Sequence, residues 1–432
     1  MHRIATVVRV AAVVATLAPA VAAAQAPPPL DRPDLRRYVA EVLTRNAARG
    51  AAFLELEAAT ERIAPAGALP DPVVEFGMRS VPILSFDFAR EAMTQLPIGV
   101  RQNFPGLGKQ AARTEAARQD SVLAAAGTGR IDATLVTLAA GAFFRLAYTR
   151  SAVELWQARI DLADQAVITA RARYETGAAP QSDLLRAELR RADLIERAFE
   201  LASAVEETRA DLDALRGGSG DPVPSADLTD PSSAAVVGVT RDTLGDSGQL
   251  EVELEVGNPD LRVARARVER ARSEARVFAI AGRPDFFVAL QNGIRFGGRE
   301  PFLSATAGLS VPLWAGRKQA PAARAADRAL EAEQERYEDL AARLRGELLA
   351  RTARLRALGS QVRALGREVL PLASAASEST LSAYATGATE LSAVLDAQDD
   401  FLQARLRLAR LVMDYAAERA ALSALLGEEW YR

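Results

Sequence analysis

Four short segments of the chain alternate apolar and polar residues, the period of a β-strand with one face in an apolar environment. The alternation covers 74–79, 98–104, 286–291 and 303–313, and it predicts two β-hairpins at about 71–105 and 285–313. A tilted strand needs about 9–11 residues to cross a bilayer, and the polar positions would suit a water-filled lumen. The alternative is a pair of ordinary hairpins packed on soluble helices.

Two long stretches, 108–173 and 317–383, are rich in Ala, Arg, Glu and Leu and nearly free of proline. At 1.5 Å per residue each predicts a helix roughly 100 Å long, too long to fold back into a compact domain. Gly127 and Gly129 interrupt the first and predict a bend or a local break. The return helices repeat apolar residues every seven positions, which predicts supercoiled packing. These seams contain Leu185, Ala192 and Phe199 in one helix and Leu395, Leu402 and Ala409 in the other, with Val394, Phe401, Leu408 and Tyr415 alongside.

One segment occurs twice in the chain. Residues 174–187 return 210 positions later as 384–397, with half of the fourteen positions identical. Each copy separates two long helical stretches, so it predicts the turn of a helical hairpin in which glycine takes a positive φ. The candidate functional residues of these turns are Tyr174, Gly177, Ala178, Ser182 and Asp183 in the first copy, and Tyr384, Gly387, Ala388 and Ser392 in the second.

The chain is therefore predicted to be a tandem duplication. We expect a first repeat over 25–216 with its helical tip near 174–182, and a second over 250–432 with its tip near 384–392. Between them, 217–249 is rich in Gly, Pro, Ser and Asp without a period, which is typical of a linker or a small peripheral layer.

Residues 1–24 have the features of a secretory signal peptide. A basic start is followed by an apolar run over 7–18 and by three alanines before Gln25. The run is shorter than the roughly 20 residues that a transmembrane helix needs. We therefore expect an exported mature chain.

Composition argues against several classes of function. The chain has no cysteine, which excludes disulfides, thiolate sites and a lipidated N-terminal cysteine. The one histidine, His2, would leave with the signal peptide, and with it the commonest general base. The formal net charge of −3 gives no indication of nucleic-acid binding. We predict no catalytic, cofactor-binding or metal site.

Each half of the chain has the same predicted order of elements: helix, hairpin, long helix, turn, long helix. This repeated order resembles the TolC-like family of outer-membrane efflux ducts over essentially the whole mature chain. The motifs that carry the resemblance are Leu69-Pro70-Asp71-Pro72, the turn over 102–109, Asn258-Pro259, the turn over 312–318, and the paired Tyr-x-x-Gly-x-x-x-x-Ser segments. The resemblance implies a mainly α fold with a membrane β-barrel: a homotrimer in which each protomer gives four strands to a 12-stranded barrel and its long helices to a periplasmic tunnel.

The resemblance also implies a function. Such a duct lies in the outer-membrane lipid and passively conducts substrates delivered by a periplasmic adaptor protein and an inner-membrane pump, of RND or ABC type. The motif Phe104-Pro-Gly-Leu-Gly-Lys109 is most similar to the turns of ducts that serve heavy-metal and related cation pumps. The resemblance therefore implies metal cations or drugs as substrates. Aromatic residues near the strand ends would form a girdle at the membrane interfaces: Phe88, Phe286, Phe296, Phe302 and Trp314.

The two helical turns would form the periplasmic tip. By the family pattern, Asp183 bonds to Tyr384, and Asp396 lies at a position where acids form a pore-narrowing ring. The neighbouring ring position holds Ala393 instead of an acid, so it stays open whether the tip has one acidic ring or two. A purely local role for Asp183, in the first turn of its helix, is the alternative. The implied adaptor contacts are Tyr174, Gly177, Ala178, Ser182, Gly387, Ala388 and Ser392.

Other interpretations stay open. A duct for type I protein secretion would have the same architecture and the same residues. A periplasmic coiled-coil scaffold would use the strands as soluble hairpins. An enzyme is disfavoured, because the carboxylates lie beside arginines at helix-surface spacing rather than in a catalytic constellation.

Overall fold

The computed structural model describes residues 30–81, 89, 91–218, 220, 238–239, 244–386 and 388–431. The predicted signal peptide, most of the predicted linker, Phe88 and Gly387 lie outside the described residues, as does the side chain of Tyr384. The two repeats form one helical body with a sheet at one end.

The first repeat begins with three helices and two strands: α1 (Pro33–Arg45), α2 (Ala47–Glu61), α3 (Ile63–Gly67), β1 (Val73–Phe76) and β2 (Gln95–Phe104). Helix α4 (Lys109–Glu175) follows with 67 residues, about 100 Å of length, and α5 (Gln181–Leu215) returns beside it.

Helix α4 continues through Gly127 and Gly129, so the predicted local break is wrong and a bend stays a prediction. A Cβ atom at Gly129 would lie 2.9 Å from a guanidinium nitrogen of Arg262. This glycine therefore makes room for a neighbouring helix instead of interrupting its own.

The second repeat has the same order: α6 (Ser247–Gly257), α7 (Pro259–Ala279), β3 (Asp285–Arg295), β4 (Phe302–Ser310), α8 (Gln319–Ala364), α9 (Leu370–Ala385) and α10 (Leu391–Leu426). A π-helical turn, Leu365–Val369, joins α8 to α9, and the residues that flank it keep helical backbone angles. The pair therefore forms one continuous rod, the counterpart of α4.

Each repeat contains an equivalent junction built on one asparagine. The side chain of Asn46 caps the start of α2 and donates to the carbonyl of Leu215 at 2.7 Å. The side chain of Asn258 caps the start of α7 and donates to the carbonyl of Leu425, also at 2.7 Å. Each asparagine thus ties the start of one helix to the end of a return helix, and the duplication extends to single hydrogen bonds.

Two large hydrophobic cores hold the helices together, one shared by both repeats and one formed within the second repeat. The first includes Tyr38, Phe143, Leu146, Leu212, Ala416, Ala420 and Trp430, and the second includes Leu254, Leu348, Leu355, Leu408, Leu422 and Leu426. Helix α10 contributes to both cores. This shared helix couples the two repeats into one folding unit.

The four strands form one antiparallel sheet in the order β1-β2-β3-β4. The central pairing, β2 with β3, joins the two repeats and sets Val100 opposite Leu290 and Arg101 opposite Ala289. Strands β1 and β4 are the outer edges. Within the described residues, no strand covers the outer side of either edge.

Candidate functional site

The sheet has one apolar and one polar face, as the alternation predicts. The apolar face carries Val74, Phe76, Ile98, Val100, Phe286, Val288, Leu290, Leu303, Ala305 and Leu309, and the polar face carries Glu75, Arg101, Asn103, Gln291, Ser304 and Thr306. Side chains on the apolar face are exposed, with Val100 at 49%, Leu290 at 52% and Leu303 at 74%. This face therefore needs a covering that a single chain does not supply.

Side chains on the polar face contact one another across three strands. Glu75 accepts a hydrogen bond from Gln291 at 3.0 Å, and Arg79 donates to the side-chain oxygen of Gln291 at 3.3 Å. The guanidinium of Arg101 lies 3.8 Å from the ring centroid of Phe287 and 3.8 Å from a carboxylate oxygen of Glu75. The polar face thus carries an ordered network instead of freely hydrated chains.

The aromatic residues of the predicted girdle lie on both faces of the sheet. Phe286 lies on the apolar face, and Trp314 follows β4 with 72% of its surface exposed. Phe302 pairs with Gly293 on the polar face, and the guanidinium of Arg295 lies 4.3 Å from its ring centroid. Phe302 thus shares the face of the polar residues of β4, and its place in a girdle stays a prediction.

The motif over 102–109 forms the joint between the sheet and the long helices. A carboxylate oxygen of Asp285, at the start of β3, accepts from Lys109 Nζ at 2.8 Å and from the Gly106 N–H at 2.7 Å. Arg283 donates to the carbonyl of Leu107. These residues hold the first turn of α4 against β3, which gives the motif a structural role independent of any substrate.

The two repeated segments are helical turns. Gly177 has a φ of +73°, and the Ala178 N–H donates to the carbonyl of Arg173 at 2.8 Å. In the second copy the Ala388 N–H donates to the carbonyl of Ala383, also at 2.8 Å. The same backbone hydrogen bond ends both helices, so the two copies form equivalent turns.

Most predicted tip residues are exposed at these two turns: Tyr174, Gly177, Ala178, Ser182, Asp183, Ala388 and Ser392. Asp183 lies in the first turn of α5 and accepts from the Ser182 hydroxyl at 3.5 Å. The Tyr384 side chain lies outside the described atoms, so the contact between Asp183 and Tyr384 stays a prediction.

Asp396 belongs to an ionic cluster that joins three helices. Its carboxylate, 68% exposed, lies 3.2 Å from Arg190 of α5. Asp399, one turn further along α10, is 10% exposed and lies 3.0 Å from the same arginine. Arg159 of α4 approaches Asp399 with two nitrogens at 2.6 and 3.2 Å, and Gln403 donates to it at 2.8 Å. The cluster ties the hairpin of the first repeat to the return helix of the second.

Asp399 is the central member of this cluster. Burial alone would raise the pKa of Asp399, but hydrogen bonds from Arg159 and Gln403 and the charges of Arg159 and Arg190 hold its pKa below the ordinary value. The carboxylate is therefore ionised at neutral pH. One feature of the sequence points to Asp399: it lies three residues after Asp396, so both acids are on one helix face.

The described residues contain no group of three or more His, Cys, Asp or Glu side chains arranged to hold a metal ion. Among the described helices, α4 alone contains an 18-residue window apolar enough to cross a membrane, and half of that window is buried inside the protein. A helix that packs in a protein core has the same composition, so this window is weak support for a span.

Residues 251–428 match the sequence family described as Outer membrane efflux protein. The fold is similar to the outer-membrane channel OprN, at 18% identity and a TM-score of 0.74, over 94% of this chain and 92% of that one. The resemblance to the TolC-like outer-membrane efflux proteins is confirmed. The second repeat matches the family in sequence, and the described chain has its fold.

Two further solved structures agree. VceC of Vibrio cholerae is 17% identical, with a TM-score of 0.72 over 92% of this chain and 96% of that one. The open state of MtrE from Neisseria gonorrhoeae is 17% identical, with a TM-score of 0.70 over 92% and 90%. No curated protein matches the chain by sequence. The fold of the described chain is therefore the fold of these outer-membrane channels.

Proposed function

We propose that this chain is the trimeric exit duct of a tripartite efflux system in the outer membrane. The observation that carries the proposal is the four-stranded sheet, apolar on one face and polar on the other, with an open edge at each side. A scaffold with soluble hairpins would bury the apolar face, but Val100, Leu290 and Leu303 are exposed.

Closure of this sheet requires other copies of the chain. Backbone N–H and C=O groups cannot remain unpaired in lipid, so β1 and β4 must each find a partner strand. Four strands are too few for a barrel, since the smallest membrane barrels have eight. Three protomers related by a threefold axis would pair β1 of one with β4 of the next and close a barrel of twelve strands.

The helices also present apolar surface that a neighbouring protomer would cover. Leu185, Leu189 and Phe199 of α5 are 55%, 63% and 72% exposed, although Leu185 and Phe199 belong to the predicted seven-residue seam. The positions 210 residues later in the second repeat are less accessible, because Leu395 is only partly exposed and Ala409 is buried within the chain, at 0%. The exposed seam of α5 therefore supports an interface between protomers.

The tip of the helical hairpins is the proposed site of adaptor docking and gating. The exposed turns around Gly177 and Ala388 would meet a periplasmic adaptor, which links the duct to an inner-membrane pump of the RND or ABC type. The cluster of Arg159, Arg190 and Asp399 holds α5 against α10 just above these turns. We propose that opening separates these helices, and that Asp183, Tyr384 and Asp396 take part in the same gate.

Introduced cysteines can test the shared barrel, because the chain has none of its own. The Val74→Cys variant would be combined in turn with Leu303→Cys, Ala305→Cys, Ala307→Cys and Leu309→Cys. Strands β1 and β4 lie at opposite edges of one sheet, so a disulfide between them can form only between protomers. We expect a covalent trimer on a denaturing gel for at least one pair.

A matched control places both cysteines within one protomer. Val100→Cys with Leu290→Cys joins two residues that already pair across β2 and β3, so this variant should remain a monomer on the same gel. If all four edge pairs remain monomeric while the control forms its internal disulfide, the shared barrel is wrong.

A further inference from the structure

We infer that the barrel portion of the duct selects for anions, through arginines on the polar face of the sheet. The inference rests on the proposed duct, in which the polar face lines the lumen. It concerns the class of solute that the duct favours, and it opposes the cation preference that an acidic ring at Asp396 would give.

Strand register places three arginines on the polar face. Arg295 pairs with Gln95, and Arg79 forms a bridge with the same Gln95, so two arginines lie at one level of the sheet. Arg101 lies on the same face of β2, six residues along from Gln95. A trimer would repeat each of these positions around the lumen.

Carboxylates do not balance these charges. Glu75 is the one acid at the same levels of the described sheet, and its carboxylate lies 3.8 Å from Arg101. Arg79 instead donates to the amide oxygen of Gln291, and Arg295 donates to the main-chain carbonyls of Ala92 and Glu300.

The remaining acid on this face of the described strands is Asp285, at the base of the sheet. Its carboxylate forms an ion pair with the Lys109 ammonium. At the hairpin ends, the charged residues among those described are Glu91, Arg299 and Glu300, and they lie outside the paired strands. Across Arg79, Arg101, Arg295 and Glu75, the strand face therefore has an excess of two positive charges per protomer.

The ionic cluster near the tip does not supply an opposing net charge. Asp396 and Asp399 face Arg159 and Arg190, so the cluster contains equal numbers of acids and bases. A ring built from this cluster has no net charge with which to attract cations. The positive strand face therefore has no opposing net charge in this cluster.

A narrow pore in a low-dielectric wall focuses the field of such charges and raises the local concentration of counter-ions. We therefore expect chloride to pass more readily than potassium, and efflux substrates with a net negative charge to be favoured over cations. The effect should be strong near 0.1 M salt, where the screening length is about 10 Å, and weak at 1 M, where it is about 3 Å.

Reversal potentials of reconstituted trimers in a potassium chloride gradient test the inference. The chloride-to-potassium permeability ratio should exceed one for the parent and fall about threefold or more in the Arg79→Gln/Arg295→Gln variant, the effect of about one kT of potential. The Arg79→Lys/Arg295→Lys variant keeps the charge and should keep the ratio. Glu75→Gln removes an acid from the same face and should raise it.

The outcomes separate this inference from the proposed function. Inserted trimers that conduct with a preference for potassium, or with a ratio that none of these substitutions moves, would overturn the anion preference and leave the duct intact. Inserted trimers of the parent and of all variants that never conduct would overturn the duct, and the inference with it.

Discussion

Replacement of Asp399 with asparagine should release α10 from the hairpin of α4 and α5. The side chains of Asp399 and Arg159 are only 10% and 12% exposed, so the substitution leaves a nearly buried guanidinium without its carboxylate. Removal of one partner from a buried ion pair costs about 3–5 kcal/mol. We take the lower end, since asparagine can still accept one hydrogen bond and Arg190 is 48% exposed and screened by solvent.

A local cost of about 3 kcal/mol corresponds to an opening equilibrium on the order of 100-fold larger, because each 1.4 kcal/mol is a factor of ten. Hydrogen exchange of the trimer, followed on peptides from 185–200 and 392–406, measures that opening directly. Peptides from the first hydrophobic core around Tyr38 and Phe143 should be unchanged and serve as the internal reference.

Asp396→Asn is the matched control. Asp396 is 68% exposed and has one contact with Arg190 at 3.2 Å, so its loss should cost less than about 1 kcal/mol and raise exchange less than about fivefold. Equal exchange in the two variants would refute the reasoning, because burial of Asp399 would then contribute nothing to the hold on α10.

Three further predictions follow from the same geometry. Because the pKa of Asp399 is lowered in the folded protein, its stabilising contribution is present above the unfolded pKa of about 3.9 and is lost as pH falls through the folded pKa. Opening of the cluster should therefore increase below about pH 4 in the parent protein and much less in Asp399→Asn. Hydrogen exchange measured as a function of pH checks this. Gly177→Ala should destabilise the first turn by about 1–2 kcal/mol, because Gly177 has a positive φ. Gly127→Ala should be neutral or stabilising, because Gly127 lies inside a helix with open space around it. The denaturant midpoint of unfolding measures both effects. Leu290→Arg, on the apolar face, should cost about 2–4 kcal/mol at mid-membrane and reduce trimer insertion into vesicles, whereas Gln291→Arg should insert normally; equal insertion would contradict the assignment of the faces.

The sequence was sufficient to predict features that local periodicity determines. A strand alternates its faces with a period of two, so the positions of Leu303, Ser304 and Ala305 could be assigned before any contact was known. The positive φ of Gly177 followed in the same way from its place after a long helix. The same alternation places Phe302 on the face of Ser304, away from Leu303.

Features that depend on distant contacts were not predictable. Asp399 meets Arg159 and Arg190 across 240 and 209 residues of chain, and a single sequence carries no signal for such a pairing. The family resemblance singled out Asp396, and nothing in the sequence indicated that Asp399, three residues later, is the buried acid. Gly129 was interpreted as a helix breaker because the approach of Arg262 exists only in the folded protein.

Single-channel recording in planar bilayers tests the central claim most directly. The detergent-extracted trimer would be compared with its Asp399→Asn variant, in which the contact between the hairpins is weakened. We predict discrete conductance steps in both, with a greater open probability in the variant. Trimers of both proteins that insert stably and yet never conduct would contradict the account of this chain as a duct.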